Sequence, residues 1–151
     1  MEVIGPNLNL GSECEPVLRS LPDWFGIESA IVQYVRDIDV MPTFRVLEDG
    51  LTAGFLTVKR HFAESAEIHV MGISPEYHRQ GIGRSLVESA EEWLRSDGCK
   101  CLQVKTISES HKSSHYASTR DFYRSVGFLR LEEFPTLWHE ANPCLLMIKP
   151  L

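Results

Sequence analysis

Ile73-Ser74-Pro75-Glu76-Tyr77-His78-Arg79-Gln80-Gly81-Ile82-Gly83-Arg84 is the stretch that decides the fold. It reads as the end of an apolar strand, a short turn with two glycines, and the first residues of a long amphipathic helix. Such a junction aims backbone N–H groups without helical partners, and the positive end of a helix dipole, at one small volume. A diphosphate fits there. The glycines alone are a weak signal. A dinucleotide fingerprint requires a third glycine where Leu86 stands, and a phosphate-binding P-loop requires Gly-Lys-Ser/Thr, which this chain lacks. The plainer reading is a tight turn and close helix–sheet packing.

Working outward, residues 12–40 read as helical with a break at Leu21-Pro22-Asp23. Ile27, Ile31, Tyr34, Val35 and Ile38 form an apolar stripe at helical spacing. Thr43–Leu47 and Leu51–Arg60 read as a strand pair turned by Glu48-Asp49-Gly50. Ala66–Ile73 is a third strand, and Gly81–Ser96 is the helix it feeds, ended by Asp97-Gly98. Cys101–Ile107 is a strand and Ser114–Val126 a helix capped by Gly127. Phe128–Phe134 and Cys144–Lys149 are last strands around a loop holding Pro135 and Pro143. The order αα-βββ-α-β-α-ββ predicts an α/β (α+β) fold. Its sheet is mixed, mostly antiparallel, with helices on both faces.

The bulk numbers suit one domain over residues 1–151. Hydrophobic residues make up 43% and charged residues 24% of the chain, as in ordinary soluble proteins. The formal net charge of −6 argues against nucleic-acid and anionic-membrane partners and mildly favours a cationic substrate. No apolar run approaches the ~20 residues of a bilayer span. No signal peptide is read in Met1-Glu2-Val3-Ile4-Gly5-Pro6, so the expected location is cytoplasmic, with Cys14, Cys99, Cys101 and Cys144 as reduced thiols.

Three motifs carry chemistry. His78-Arg79-Gln80-Gly81-Ile82-Gly83 stands at the strand–helix junction. Tyr123-Arg124-Ser125-Val126-Gly127-Phe128 lies about 40 residues downstream. Ala66-Glu67-Ile68 lies in the strand before the loop. Together they make residues 51–150 resemble the GNAT acetyltransferase superfamily, which moves an acetyl group from acetyl-CoA to an amine. In that family the loop reads [QR]-x-x-G-x-[GA], and the first position here is His78. The resemblance implies that backbone N–H groups from Arg79 through Gln80, Gly81, Ile82 and Gly83 to Arg84 hold the CoA pyrophosphate. It implies that Met71, Gly72 and Ile73 offer backbone groups to the pantetheine amides. It also implies that Tyr123 protonates the departing thiolate, a task suited to a phenol with an ordinary pKa near 10. Where the family often has Asn-x-x-Ala ahead of that tyrosine, this chain has Tyr116 and Thr119, on one helical face with Tyr123. By the same resemblance Trp24 and Phe25 lie in the region that covers the acceptor.

Amine acetylation needs a proton acceptor. Glu67, His69 and Met71 alternate along the strand and are expected on one face. A strand glutamate facing a desolvated cleft would have a raised pKa, and an imidazole exchanges protons near neutral pH. Glu67 and His69 are therefore both candidate bases; a solvated edge charge and a core histidine are the plain alternatives. Arg120 and Lys112 are candidate contacts to the CoA phosphates. Glu88, Glu91 and Glu92 read as a solvated helix face. His111-x-x-x-His115 lacks the glutamate of a zinc helix, and no metal is expected. The expectation is thus an acetyl-CoA-dependent N-acetyltransferase acting on a small-molecule or protein amine, with a homodimer left open. The alternative is a non-catalytic acyl-CoA-binding or sensing module of the same fold.

Overall fold

The computed structural model describes residues 1–111 and 113–151. The strands are β1 (Val3–Asn7), β2 (Thr43–Glu48), β3 (Leu51–Phe62), β4 (Ser65–Ile73), β5 (Cys101–Ile107), β6 (Leu129–His139) and β7 (Asn142–Pro150). The α-helices are α1 (Gly11–Arg19), α2 (Glu28–Val40), α3 (Ile82–Ser96) and α4 (Ser114–Ser125), with a single 3-10 turn at Pro75–Tyr77. The described strands form one sheet in the order β1-β2-β3-β4-β5-β7-β6. All neighbours run antiparallel except β4 and β5. The mixed, mostly antiparallel architecture is the expected one. The five-residue β1 was missed, because Pro6 and the polar Asn7 hide its alternation.

Two apolar clusters put helices on both faces. Cys14, Val17, Leu18 and Leu21 beside α1, and Ile31 and Ile38 of α2, pack with Phe55 and Val70. Leu86, Val87, Ala90 and Leu94 of α3 pack on the other face with Leu56, Ile68, Leu102, Val104, Leu145 and Met147. Ile27, expected in the stripe of α2, instead precedes its first turn and is exposed. The α1–α2 pair sits close because Gly11 has no side chain. A Cβ there would lie 2.3 Å from the Val35 carbonyl, and the Gly11 N–H donates to Asp39 Oδ1 at 2.8 Å.

The β2–β3 hairpin turns through Asp49 (φ 52°) and Gly50 (φ 78°), two positive-φ residues whose twist matches the strands they join. The predicted loop between the last strands is instead a continuous hairpin, turned at Glu140-Ala141 and capped by the Ala141 N–H donating to His139 Nδ1 at 3.1 Å. Pro135 is tolerated because β6 is an edge strand and its ladder to β7 is interrupted between Phe134 and His139. Glu91 is not solvated. It is 3% exposed and accepts from Lys149 Nζ at 2.6 Å and Arg95 Nη2 at 3.1 Å. That contact ties α3 to β7.

One irregularity positions the site. Thr57 faces Val70 while the next residue, Val58, faces Ile68, so His69 is an extra residue in β4. A bulge of this kind reverses the alternation of faces beyond it. Ala66 and Ile68 before it, and Met71 and Ile73 after it, pack toward α3 and α4. Glu67 and His69 take the α1–α2 side. Met71 therefore does not share a face with them, as simple alternation predicted.

Candidate active site

The β4–β5 ladder runs from Ser65 opposite Cys101 to Ile68 opposite Val104. Beyond that pair β4 continues to Ile73 and β5 to Ile107, so the parallel strands part at the bulge and open a slot. The N-terminus of α3 stands at the far end of β4. Gly81 adopts φ 81° there and a Cβ on it would meet nothing. Its conformation, not crowding, requires glycine. No side chain caps this helix start, which leaves its first N–H groups open to an anion. Gly83 has a different reason. A Cβ there would lie 2.9 Å from two ring atoms of Phe122 and 3.4 Å from Ile73 Cδ1. The start of α3, the end of β4 and the last turns of α4 thus meet at Gly83, so the packing reading holds for this glycine.

His78 turns back onto β4. Its Nε2 lies 2.7 Å from the Ile73 carbonyl oxygen. The side chain fixes the entry to the loop, and it takes up one of the backbone acceptors that the resemblance assigns to pantetheine.

Tyr123 is 6% exposed, and burial pushes its phenol well above the ordinary range, so it stays protonated. Its ring contacts Phe122 and Phe128 edge-on at centroid distances of 5.3 and 5.6 Å. The motif around it has a local physical account. The Phe128 N–H donates to the Tyr123 carbonyl and the Gly127 N–H to the Arg124 carbonyl, each at 3.0 Å. With Gly127 at φ 102° this is a Schellman C-cap, and Tyr123–Phe128 is its usual apolar contact. The end of α3 uses the same device at Leu94, Gly98 and Cys99.

Tyr116 and Thr119 lie on α4 as expected. Thr119 Oγ1 accepts from Trp24 Nε1 at 3.0 Å, and the Trp24 ring contacts His115 at 5.1 Å. The α1–α2 connection therefore leans on α4 across the sheet. Phe25 packs edge-on against Tyr34 at 5.7 Å. His111 contacts the Tyr116 ring, so the two histidines of the zinc-like spacing go to different partners. A cleft of about 290 Å³ opens beside His111, lined also by Ser110, Thr136 and Glu140.

Glu67 departs most from expectation. It is 7% exposed, within hydrogen-bond reach of His61 Nε2 at 2.7 Å, and accepts from Gln103 Nε2 at 3.1 Å and from Lys105 Nζ at 3.1 Å on both oxygens. Burial pushes its carboxyl up, but the bonds from His61, Lys105 and Gln103 with the Lys105 charge outweigh it. The net shift is downward. The raised pKa that sequence reasoning expected is corrected by partners that only the β4–β5 and β3–β4 pairings bring together. His69, on the same side, holds Asp37 of α2 at 2.8 Å from its Nε2.

Arg120 does not reach for phosphate: it is 7% exposed and donates to the Ile107 carbonyl at 2.7 Å. Lys112 lies outside the described residues. The residues that sequence reasoning missed are Asp37, His61, Gln103 and Lys105. Gln103 and Lys105 showed a period-2 polar face on their strand, but nothing in the sequence named its neighbour.

A model of the acetyltransferase (GNAT) family matches residues 17–128. An uncharacterised N-acetyltransferase of Chlorobaculum tepidum is 26% identical over 117 residues, 76% of this chain and 65% of that protein. The chain thus spans somewhat under two thirds of that relative's length. A GNAT-family protein from Desulfovibrio desulfuricans superposes with a TM-score of 0.84 at 16% identity, over 99% of both chains. An aminoglycoside 6'-N-acetyltransferase complexed with coenzyme A superposes with a TM-score of 0.75 at 16% identity, over 99% of this chain and 97% of that one.

Proposed function

The chain belongs to the GNAT acetyltransferase family, and from that premise we propose that it is an N-acetyltransferase moving the acetyl group of acetyl-CoA directly to a primary amine. The observation that carries this reading is the slot where β4 and β5 part, with the uncapped start of α3 at its end. The residues present fit the co-substrate. The backbone from Arg79 to Arg84 would hold the pyrophosphate, Gly81 leaving the approach open. Met71, Gly72 and Ile73 would line the pantetheine path with Tyr116 and Thr119. The aminoglycoside acetyltransferase of the same fold was solved with coenzyme A, which supports acetyl-CoA as the co-substrate.

In the transfer, the amine nitrogen attacks the thioester carbonyl while backbone N–H groups of the slot polarise its oxygen. A base on β4 takes the amine proton. Tyr123, kept protonated by burial, gives its proton to the CoA sulfur as the C–S bond breaks. No covalent enzyme intermediate is required. Trp24 and Phe25 would border the acceptor, which is a small-molecule or protein amine.

The engaged state of Glu67 and the capping account of Tyr123 favour a second reading, an acyl-CoA-binding module without turnover. Thiol release from acetyl-CoA, followed in time with a panel of polyamines, aminoglycosides and lysine or N-terminal peptides, separates the two. Amine-dependent release supports the transferase. Saturable acetyl-CoA binding with no release on any amine supports the module.

A further inference from the structure

We propose that His69 is the proton acceptor of the reaction and that Asp37 is its positioning residue; this rests on the transferase reading. The pair is built from two elements. His69 is the extra residue of the β4 bulge, at the point where β4 leaves β5. Asp37 comes from α2, 32 residues away in the chain, and its Oδ2 lies 2.8 Å from His69 Nε2. Both side chains keep about a fifth of their surface exposed, 19% and 20%, so the pair is sheltered but reachable.

The contact fixes the tautomer. An ionised carboxylate only accepts hydrogen bonds, so Nε2 carries the ring proton and Nδ1 is the accepting nitrogen. Asp37 is itself held, because its other oxygen accepts from Gln33 Nε2 at 2.9 Å. Tyr34 lies edge-on to the imidazole at 5.8 Å and 69°. Other charged or titratable groups on this side include Glu67 with its partners Lys105 and His61, Lys59 opposite Glu67 on β3, Arg45 of β2 with Glu13 of α1, and Tyr116 of α4. Among the described residues, Glu67 has three hydrogen-bond partners on its two oxygens, whereas the imidazole has a partner at Nε2 and none at Nδ1.

The proton accounting closes. As the N–C bond forms, the amine proton passes to His69 Nδ1, and the resulting imidazolium is stabilised by Asp37 at Nε2. The C–S bond breaks and the thiolate takes the Tyr123 hydroxyl proton. Solvent then carries the proton from His69 to Tyr123, and the products are the amide and CoA thiol.

The test uses the full chain with D37N, D37E and H69Q, each checked for an unfolding transition like that of the wild type. D37N is expected to lower kcat by about 10- to 1000-fold with the KM for acetyl-CoA within about twofold, because it disturbs the ring and not the cofactor. D37E is expected to recover at least tenfold of that loss, and H69Q to fall at least as far as D37N. Long-range ¹H–¹⁵N spectra of the labelled chain should show the Nε2–H tautomer in the wild type and its loss in D37N. A D37N enzyme with wild-type kcat, or an Nδ1–H tautomer in the wild type, overturns the proposal. A chain that binds acetyl-CoA but turns over no amine removes the transferase reading and the base role with it, while the tautomer spectrum still judges the pairing.

Discussion

Replacing Glu67 by Gln separates a proton acceptor from a structural ion. The carboxylate is 7% exposed and is met by His61, Gln103 and Lys105 at 2.7–3.1 Å. An amide of the same shape keeps one acceptor oxygen. It sets an NH₂ against donors at the other position and removes the charge opposite Lys105. A hydrogen bond to a charged group contributes about 1.5–3 kcal/mol. Lys105 has 27% of its side chain exposed and regains part of the loss by turning to water, which leaves an expected cost of about 1–2 kcal/mol. For a chain of this size that lowers Tm by roughly 2–8 °C.

The pH dependence has a definite sign. The folded carboxyl titrates below its ordinary value of 4.5. A group depressed on folding contributes stability that is complete above the unfolded pKa and is lost as pH falls through the folded one. In urea unfolding, the gap between wild type and E67Q should be full at pH 7 and narrow progressively as the pH falls below 4.5. The kinetic arm completes the test. Removing a direct general base costs about 10²- to 10⁴-fold, whereas E67Q is expected to keep kcat within about tenfold. A variant that unfolds with the wild type at pH 7 yet loses more than about 100-fold in kcat would refute this reasoning and return the base role to Glu67.

Gly81→Ala should cost about 1–2 kcal/mol from the left-handed backbone alone, and Gly83→Ala about 1–3 kcal/mol from its clash with Phe122, less up to about 1 kcal/mol of helix preference. Adding Phe122→Leu should rescue the second and not the first in chemical denaturation. Tyr123→Phe keeps the contacts to Phe122 and Phe128, so its Tm should stay near that of the wild type while kcat falls about 100-fold or more; an active variant removes Tyr123 from the mechanism. A Trp24→Phe and Thr119→Val double-mutant cycle should return a coupling of about 0.5–1.5 kcal/mol for the bond that joins the α1–α2 connection to α4. Additive effects would mean that the bond contributes nothing in solution.

The strand–loop–helix junction was legible because its signals are local. The apolar run, Gly81 and the amphipathic face of α3 each follow from nearest neighbours along the chain. The caps at Gly98 and Gly127 and the Asp49-Gly50 turn were legible for the same reason. Glu91 was misread as solvated and Arg120 as a phosphate contact because a charged residue on a helix looks free until its partner is known. Lys149 lies 58 residues from Glu91, and the Ile107 carbonyl 13 residues from Arg120. Neither partner leaves a trace in local spacing.

The bulge at His69 shows why the chemistry was harder to read than the fold. Alternation put Glu67, His69 and Met71 on one face, and that rule fails wherever a strand takes in an extra residue. The failure is informative. The insertion that sends Met71 to the α3–α4 side also ends the regular register near Ile68 and holds His69 where β4 leaves β5. A histidine at that place can be gripped from α2 by Asp37 and still keep a nitrogen free. A glutamate two residues earlier remains inside the ladder, among the donors of the neighbouring strands. The two candidate bases thus differ by one step of backbone geometry: Glu67 lies where the sheet closes and holds it together, and His69 lies where it opens.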